Sequence, residues 1–252
     1  MRKIALVTGA TAGIGMATAE ILAENGYNLI ITGRRKELLE NLKSELGVKY
    51  KSDVLALHFD IRDRKQTEKA IDNLPKSWEN INILINNAGL AAGFAPIQDG
   101  DVDDWEQMID TNVKGLLYIT RKVAPLMIQR GSGHIINISS ISAKELYENG
   151  NVYCATKHAV DAITKGMRID LLKHNIKVTS IAPGAVETEF SLVRFKGDKE
   201  RADKVYKGIT PLNADDVAEA VWFAVSRPTH VNINDMLIMP TAQAAVSTFF
   251  RK

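Results

Sequence analysis

Apolar residues along this chain fall into short unbroken runs separated by longer stretches in which they recur every three or four positions. The runs at residues 3–7, 28–32, 54–59, 81–85, 134–138, 177–181 and 236–239 are rich in Val, Ile and Leu. Such runs suit strands covered on both faces, as in a parallel sheet. The amphipathic stretches at 13–25, 36–46, 64–73, 102–129, 152–173 and 214–225 predict helices. In the last, Val217, Ala220, Val221 and Ala224 repeat at helical spacing behind the capping candidates Asn213 and Asp215. Parallel neighbours need crossover connections, so strand–helix alternation predicts an α/β fold built on a doubly wound parallel sheet with helices on both faces. Residues 191–212 interrupt the rhythm with Arg, Lys, Gly and Asp. That stretch is too short for a second domain and reads as a lid-like insertion in a single domain spanning 1–252.

Composition narrows the function classes. Lys and Arg number 32 against 30 Asp and Glu, a net charge of +2, which argues against a nucleic-acid partner. At 45% hydrophobic and 25% charged residues the chain is a folded one. No apolar run approaches the ~20 residues that cross a bilayer. The N-terminal run stops at Thr8-Gly9, too early for an export signal, so no membrane partner and a cytoplasmic location are expected. Cys154 is the one cysteine and reads as a packed thiol. His58, His134, His158, His174 and His230 lack metal-ligand spacing, so no metal is expected.

The first strand runs into Thr8-Gly9-Ala10-Thr11-Ala12-Gly13-Ile14-Gly15, which opens the first helix. Glycines there let a pyrophosphate approach the backbone at the helix N-terminus. The spacing Gly-x-x-x-Gly-x-Gly differs from the commoner Gly-x-Gly-x-x-Gly, and a ligand-free β–α turn would also fit it. The second strand then ends in Thr32-Gly33-Arg34-Arg35, with no carboxylate until Glu37. An NAD site places a carboxylate here for the ribose 2′-hydroxyl, whereas two guanidiniums suit a 2′-phosphate. The cofactor expected is therefore NADP.

Tyr153 and Lys157 stand four apart on a predicted helix and share a face. A phenol beside an ammonium suits proton exchange with a carbonyl/alcohol pair, the cation lowering the phenol's pKa. Ser140 follows the fifth strand at the edge where ligands bind such sheets. Asn112 falls in the middle of the long helix predicted at 102–129, where propensity disfavours it. Its side chain is a candidate to hold a water relaying protons to Lys157.

Together, Thr8–Gly15, Asn86-Asn87-Ala88-Gly89, Asn112, Ser140, Tyr153-x-x-x-Lys157 and Pro183-Gly184 resemble the signature set of the short-chain dehydrogenase/reductase family, in order and in approximate spacing. The resemblance covers nearly the whole chain. It implies a seven-stranded Rossmann-type sheet, with Tyr153 as acid/base, Lys157 on the nicotinamide ribose, Ser140 orienting the substrate and Asn112 supporting the relay. The same resemblance implies cofactor contacts from Gly9, Thr11, Gly13, Ile14 and Gly15, from Asp60 and Ile61 at the adenine, and from Asn87, Ala88 and Gly89 near the ribose. Pro183, Gly184, Val186 and Thr188 would lie around the nicotinamide. A homo-oligomer, usually a tetramer, is also implied.

Outside that set, Trp105-Glu106-x-Met108-Ile109-Asp110-Thr111-Asn112, the segment 189–198 and Val231-Asn232-Ile233-Asn234 resemble the NADP-dependent 3-hydroxy acid dehydrogenase subgroup. This implies a small-molecule substrate such as serine, allo-threonine, 3-hydroxypropionate, 3-hydroxyisobutyrate or a corresponding semialdehyde. A carboxylate substrate calls for a cation. Arg194 is the leading candidate, with Lys196 and Lys144 the other nearby cations. A 3-oxoacyl reductase, a broad carbonyl reductase and a non-catalytic NADP-binding regulator are the competing readings.

Overall fold

The computed structural model describes residues 2–252. Its elements alternate from the start: β1 (Ile4–Thr8), α1 (Gly13–Glu24), β2 (Asn28–Gly33), α2 (Lys36–Tyr50), β3 (Val54–His58), α3 (Arg64–Asp72) and β4 (Ile81–Asn86). The second half continues with α4 (Val102–Ile109), α5 (Leu116–Arg130), β5 (Gly133–Ile138), α6 (Asn151–Leu171) and β6 (Ile176–Pro183). It ends with α7 (Glu189–Arg194), α8 (Lys199–Tyr206), α9 (Ala214–Val225) and β7 (Asp235–Ile238). The strands form one seven-stranded sheet, ordered β3-β2-β1-β4-β5-β6-β7, and every pairing is parallel.

The two-residue period of a strand divides the core into two layers. Ala5 and Val7 of β1 face one way with Leu22 of α1, Leu39 and Leu42 of α2, and Val221 of α9. Ile4 and Leu6 face the other, against Ile119, Val123 and Met127 of α5 and Leu171 of α6. Because β1 is flanked by β2 and β4, the chain winds away in opposite directions from this point, and a crevice opens at the strands' C-terminal edge.

All the predicted strands and helices are present, with shifted ends. Helix α9 matches its predicted span, and Asn213 caps it in a reciprocal box with Asp216. Two regions depart from expectation. The predicted helix at 102–129 contains a π-helical turn, Asp110–Gly115, between α4 and α5. Such turns are uncommon and gather at functional sites, and Asn112 lies within this one. The expected insertion at 191–212 is largely helical, carrying most of α7 and all of α8. Among the described residues, no helix is long and apolar enough to cross a membrane, and no cluster of metal-ligating side chains occurs.

Candidate active site

The crevice is lined on one side by backbone. Gly13 opens α1 at φ +52°, a left-handed conformation that favours glycine. At Gly15 a side chain would collide with the Gly9 carbonyl and the Asn87 amide, so the loop folds back closely on itself. The Ala12 N-cap places no side chain on the first turn of α1, which leaves N–H groups there open to an anion. Thr8 Oγ1 accepts from the N–H groups of Asn87 and Ala88 at 3.0 Å each. Asn87 Nδ2 returns to the carbonyls of Thr8 and Gly9, at 2.9 and 3.1 Å. These bonds staple the loop to β4 and fix a cradle that fits a pyrophosphate.

The two arginines after β2 separate. Arg35 donates to Thr11 Oγ1 from Nε and Nη2, at 3.1 and 2.9 Å, and pairs with Glu189 at 2.9 Å. Arg34 forms no side-chain ion pair among the described residues; its carbonyl faces His58 Nε2 at 2.9 Å. Asp60 is held by Arg62, including Nη2 at 2.6 Å. Burial opposes ionisation of Asp60, but the Arg62 hydrogen bonds keep its carboxyl below the usual range. Ile61 is buried against Gly115 of the π turn.

Opposite the cradle, β5 delivers Ser140 and α6 delivers Tyr153 and Lys157, all three buried. Ser140 caps a short 3-10 turn, its Oγ accepting from Ser142 N–H at 3.0 Å. Lys157 Nζ donates to the Ile138 carbonyl at 3.0 Å and lies 5.9 Å from the centre of the Tyr153 ring. Asn112 uses both ends of its amide. Its Oδ1 accepts from Leu90 N–H at 2.9 Å, while its Nδ2 donates to Leu90 O at 2.8 Å and Thr156 Oγ1 at 3.0 Å. The side chain thus ties the β4 loop to α6.

Burial holds the Tyr153 phenol well above its ordinary pKa, with nearby Tyr147 adding to the rise and Ser140 and Arg194 opposing it. Desolvation lowers the Lys157 pKa to about 8, which leaves the side chain mainly an ammonium at neutral pH.

Arg194, at the end of α7, stands among aromatic rings. Its Cζ lies 5.0 Å from the centre of Phe94, 5.2 Å from Tyr147 and 5.5 Å from Tyr153. Nη2 donates to Tyr147 Oη at 2.5 Å, while the buried Nε has no partner. The other two candidate cations are already paired: Lys144 with Asp161 and Asp235 at 2.6 and 2.8 Å, and Lys196 with Asp101 and Asp104 at 3.0 Å each. Both leave the list of substrate-binding candidates.

Sequence reasoning missed Phe94, Tyr147 and Phe190, whose ring meets Tyr153 edge-on at 5.7 Å. Tyr147 lies on the loop after Ser140 and Phe190 on α7 with Arg194, which was the available signal. Thr188 caps α7, accepting from Phe190 N–H at 3.2 Å, and its side chain faces Gly13. Gly184 follows Pro183 at the end of β6, and Val186 pairs with Leu212 beside it. Gly89 stands next to Asn112 and Lys157.

Comparison with known proteins agrees with this geometry. The family model for short chain dehydrogenase matches residues 3–198. The NADP-dependent 3-hydroxy acid dehydrogenase YdfG of Salmonella typhimurium is 49% identical over 242 residues, covering 96% of each chain. Sulfoacetaldehyde reductase 2 of Chromohalobacter salexigens is 44% identical over 245 residues, 97% of this chain and 96% of that one. The closed form of serine dehydrogenase complexed with NADP+ superposes with a TM-score of 0.93 at 46% identity, covering 99% of both chains. The chain belongs to the short-chain dehydrogenase family.

Proposed function

We propose that this protein is an NADP-dependent oxidoreductase acting on a small 3-hydroxy acid or its 3-oxo counterpart. The observation that carries the substrate class is Arg194, a guanidinium beside Tyr153 with a buried, unpartnered Nε and no carboxylate partner among the described residues. A partly desolvated cation without a counter-ion is costly, and a substrate carboxylate removes that cost. The relatives' names point to the same chemistry: NADP, 3-hydroxy acids, and serine.

The pyrophosphate would rest on the Gly9, Gly13, Ile14 and Gly15 backbone, with Arg34 at the 2′-phosphate. Asp60 and Ile61 would flank the adenine, Asn87, Ala88 and Gly89 the ribose, and Pro183, Gly184, Val186 and Thr188 the nicotinamide. When bound, NADP accepts or returns the hydride.

The chain's own residues do the rest. Tyr153, kept protonated by burial, gives its proton to the carbonyl oxygen in reduction and takes it back in oxidation. Ser140 Oγ holds that oxygen as charge develops on it. Lys157 retains ammonium donors for the ribose beyond the one given to Ile138. The segment 191–212 acts as the lid that brings Arg194 over the substrate. Ile109, Leu117, Ile169 and Leu172 stand exposed on α4, α5 and the end of α6, and assembly as a homotetramer would cover apolar surface of this kind. A monomer mass by light scattering would contradict that assembly.

The functional test is NADP+ reduction at alkaline pH with L-serine, L-allo-threonine, 3-hydroxypropionate, 3-hydroxyisobutyrate and an uncharged alcohol. Turnover of the acids is expected. Turnover of the uncharged alcohol alone overturns the substrate class.

A further inference from the structure

The chain beyond β7 does more than end the fold. Gln243, beyond β7, is buried, and each polar atom of its side chain has a partner. Its Oε1 accepts from Ala185 N–H at 2.8 Å, while Nε2 donates to the carbonyls of Ala245 at 3.2 Å and Val246 at 3.5 Å. Ala185 follows Pro183-Gly184, at the point where β6 turns into the segment leading to Thr188. On its other side that segment is held by Leu212, whose N–H donates to Ala185 O at 3.0 Å and whose carbonyl accepts from Glu187 N–H at 2.8 Å. Gln243 is therefore the partner of the Ala185 N–H. The fit is close: a Cβ on Gly184 would run into Gln243 Oε1 and Met239 Sδ.

The same tail also reaches the other parts of the site. Val246 N–H donates to Glu145 Oε2 at 2.8 Å, on the loop that follows Ser140. Lys252 N–H donates to Gly208 O at 2.9 Å, just beyond α8, and Arg251 Nη2 donates to Val205 O at 3.1 Å. One short segment thus spans the turn after β6, the Ser140 loop and the rear of the α7–α8 segment.

We propose that Gln243 is a positioning residue for the nicotinamide half of the cofactor site, setting the 184–188 turn through its bond to Ala185 N–H. The proposal rests on the cofactor placement given above. It predicts an effect confined to one end of the dinucleotide. The adenosine end is bound more than one strand away, by the glycine loop and the β2 end, which Gln243 does not touch.

The test is calorimetric titration of the protein with NADP+ and with 2′,5′-ADP, which keeps the adenosine bisphosphate and lacks the nicotinamide mononucleotide half. In Gln243→Met, which preserves length and removes every polar atom, NADP+ affinity is expected to fall about tenfold while 2′,5′-ADP affinity stays within about twofold. Gln243→Glu supplies the second arm. Its side-chain oxygens still accept from Ala185 N–H, so its NADP+ affinity should stay closer to that of the unaltered protein than to that of Gln243→Met. Equal weakening of both ligands in Gln243→Met, or no weakening of either, overturns the proposal. So does a Gln243→Glu variant whose NADP+ affinity falls as far as that of Gln243→Met. Failure of the underlying placement looks different: the unaltered protein would then bind NADP+ no more tightly than 2′,5′-ADP and would protect no nicotinamide contact.

Discussion

In the cofactor half of the crevice the contacts come mainly from backbone, and they come early in the chain: the turn after β1, the open end of α1, and the end of β4 stapled to it through Thr8 and Asn87. In the substrate half they come from side chains on segments far apart in sequence, with Phe94, Tyr147, Tyr153 and Arg194 converging on one point. Backbone sites depend on glycines at particular conformations and leave a local signature. Side-chain sites depend on the tertiary path of loops, and each residue alone looks ordinary. On the proposed placement the first half would accept the cofactor, and the second would be free to change with the substrate.

The largest expected effect lies where the two halves meet. Tyr153→Phe removes the proton donor and leaves the ring in place against Phe190. It should lower kcat by about 10³-fold in either direction, with NADP+ affinity nearly unchanged by calorimetry. Because burial raises the Tyr153 pKa, the protonated form persists through neutral pH. Reduction should accordingly be flat across neutral pH, whereas alcohol oxidation, which needs the phenolate, should climb through the alkaline range. Oxidation kinetics that are flat with pH would separate Tyr153 from the proton step.

Next comes the division of labour between the arginines. Arg34, without an ion-pair partner, is expected to carry the 2′-phosphate. Arg34→Ala should raise KM for NADP+ by about 10- to 100-fold, with little change for NAD+. Arg35 is already shared between Thr11 and Glu189, so Arg35→Ala should cost less. The reverse order of effects would reassign the phosphate to Arg35.

A smaller effect concerns stability. The folded-state pKa of Lys157, about 8, lies below its unfolded value of 10.5. The unfolded chain therefore holds more protons between those values, and stability from this group is gained as pH rises through that window. At pH 7 the buried ammonium is a liability of about 3 kcal/mol. Lys157→Met should then melt roughly 5 °C higher at pH 7, lose activity, and lose its thermal advantage by about pH 10. A variant that melts lower at pH 7 would show that the Ile138 bond outweighs desolvation.

The same contrast explains what was legible beforehand. The alternation of apolar runs and amphipathic stretches gave the sheet and its helices, because burial on both faces dictates that pattern. The glycine turn and the Tyr153–Lys157 spacing were readable because each obeys a local geometric rule. Asn112 was found but its bonds were not: a π turn carries no composition signal, and only the folded chain shows its amide closing on Leu90 and Thr156. Lys144 and Lys196 stood as alternatives behind Arg194 until their carboxylate partners, remote in sequence, came into view. Gln243 offered no sequence signal, since its significance is a hydrogen bond across 58 positions.

The most direct test of the substrate half compares kcat/KM for 3-hydroxypropionate and for an uncharged three-carbon alcohol, in the unaltered enzyme and in Arg194→Met. The carboxylate should be preferred strongly by the unaltered enzyme, and the substitution should erase about 10²-fold of its kcat/KM while sparing the uncharged alcohol. Equal losses for both substrates, or a preference for the acid that survives without Arg194, would contradict the assignment.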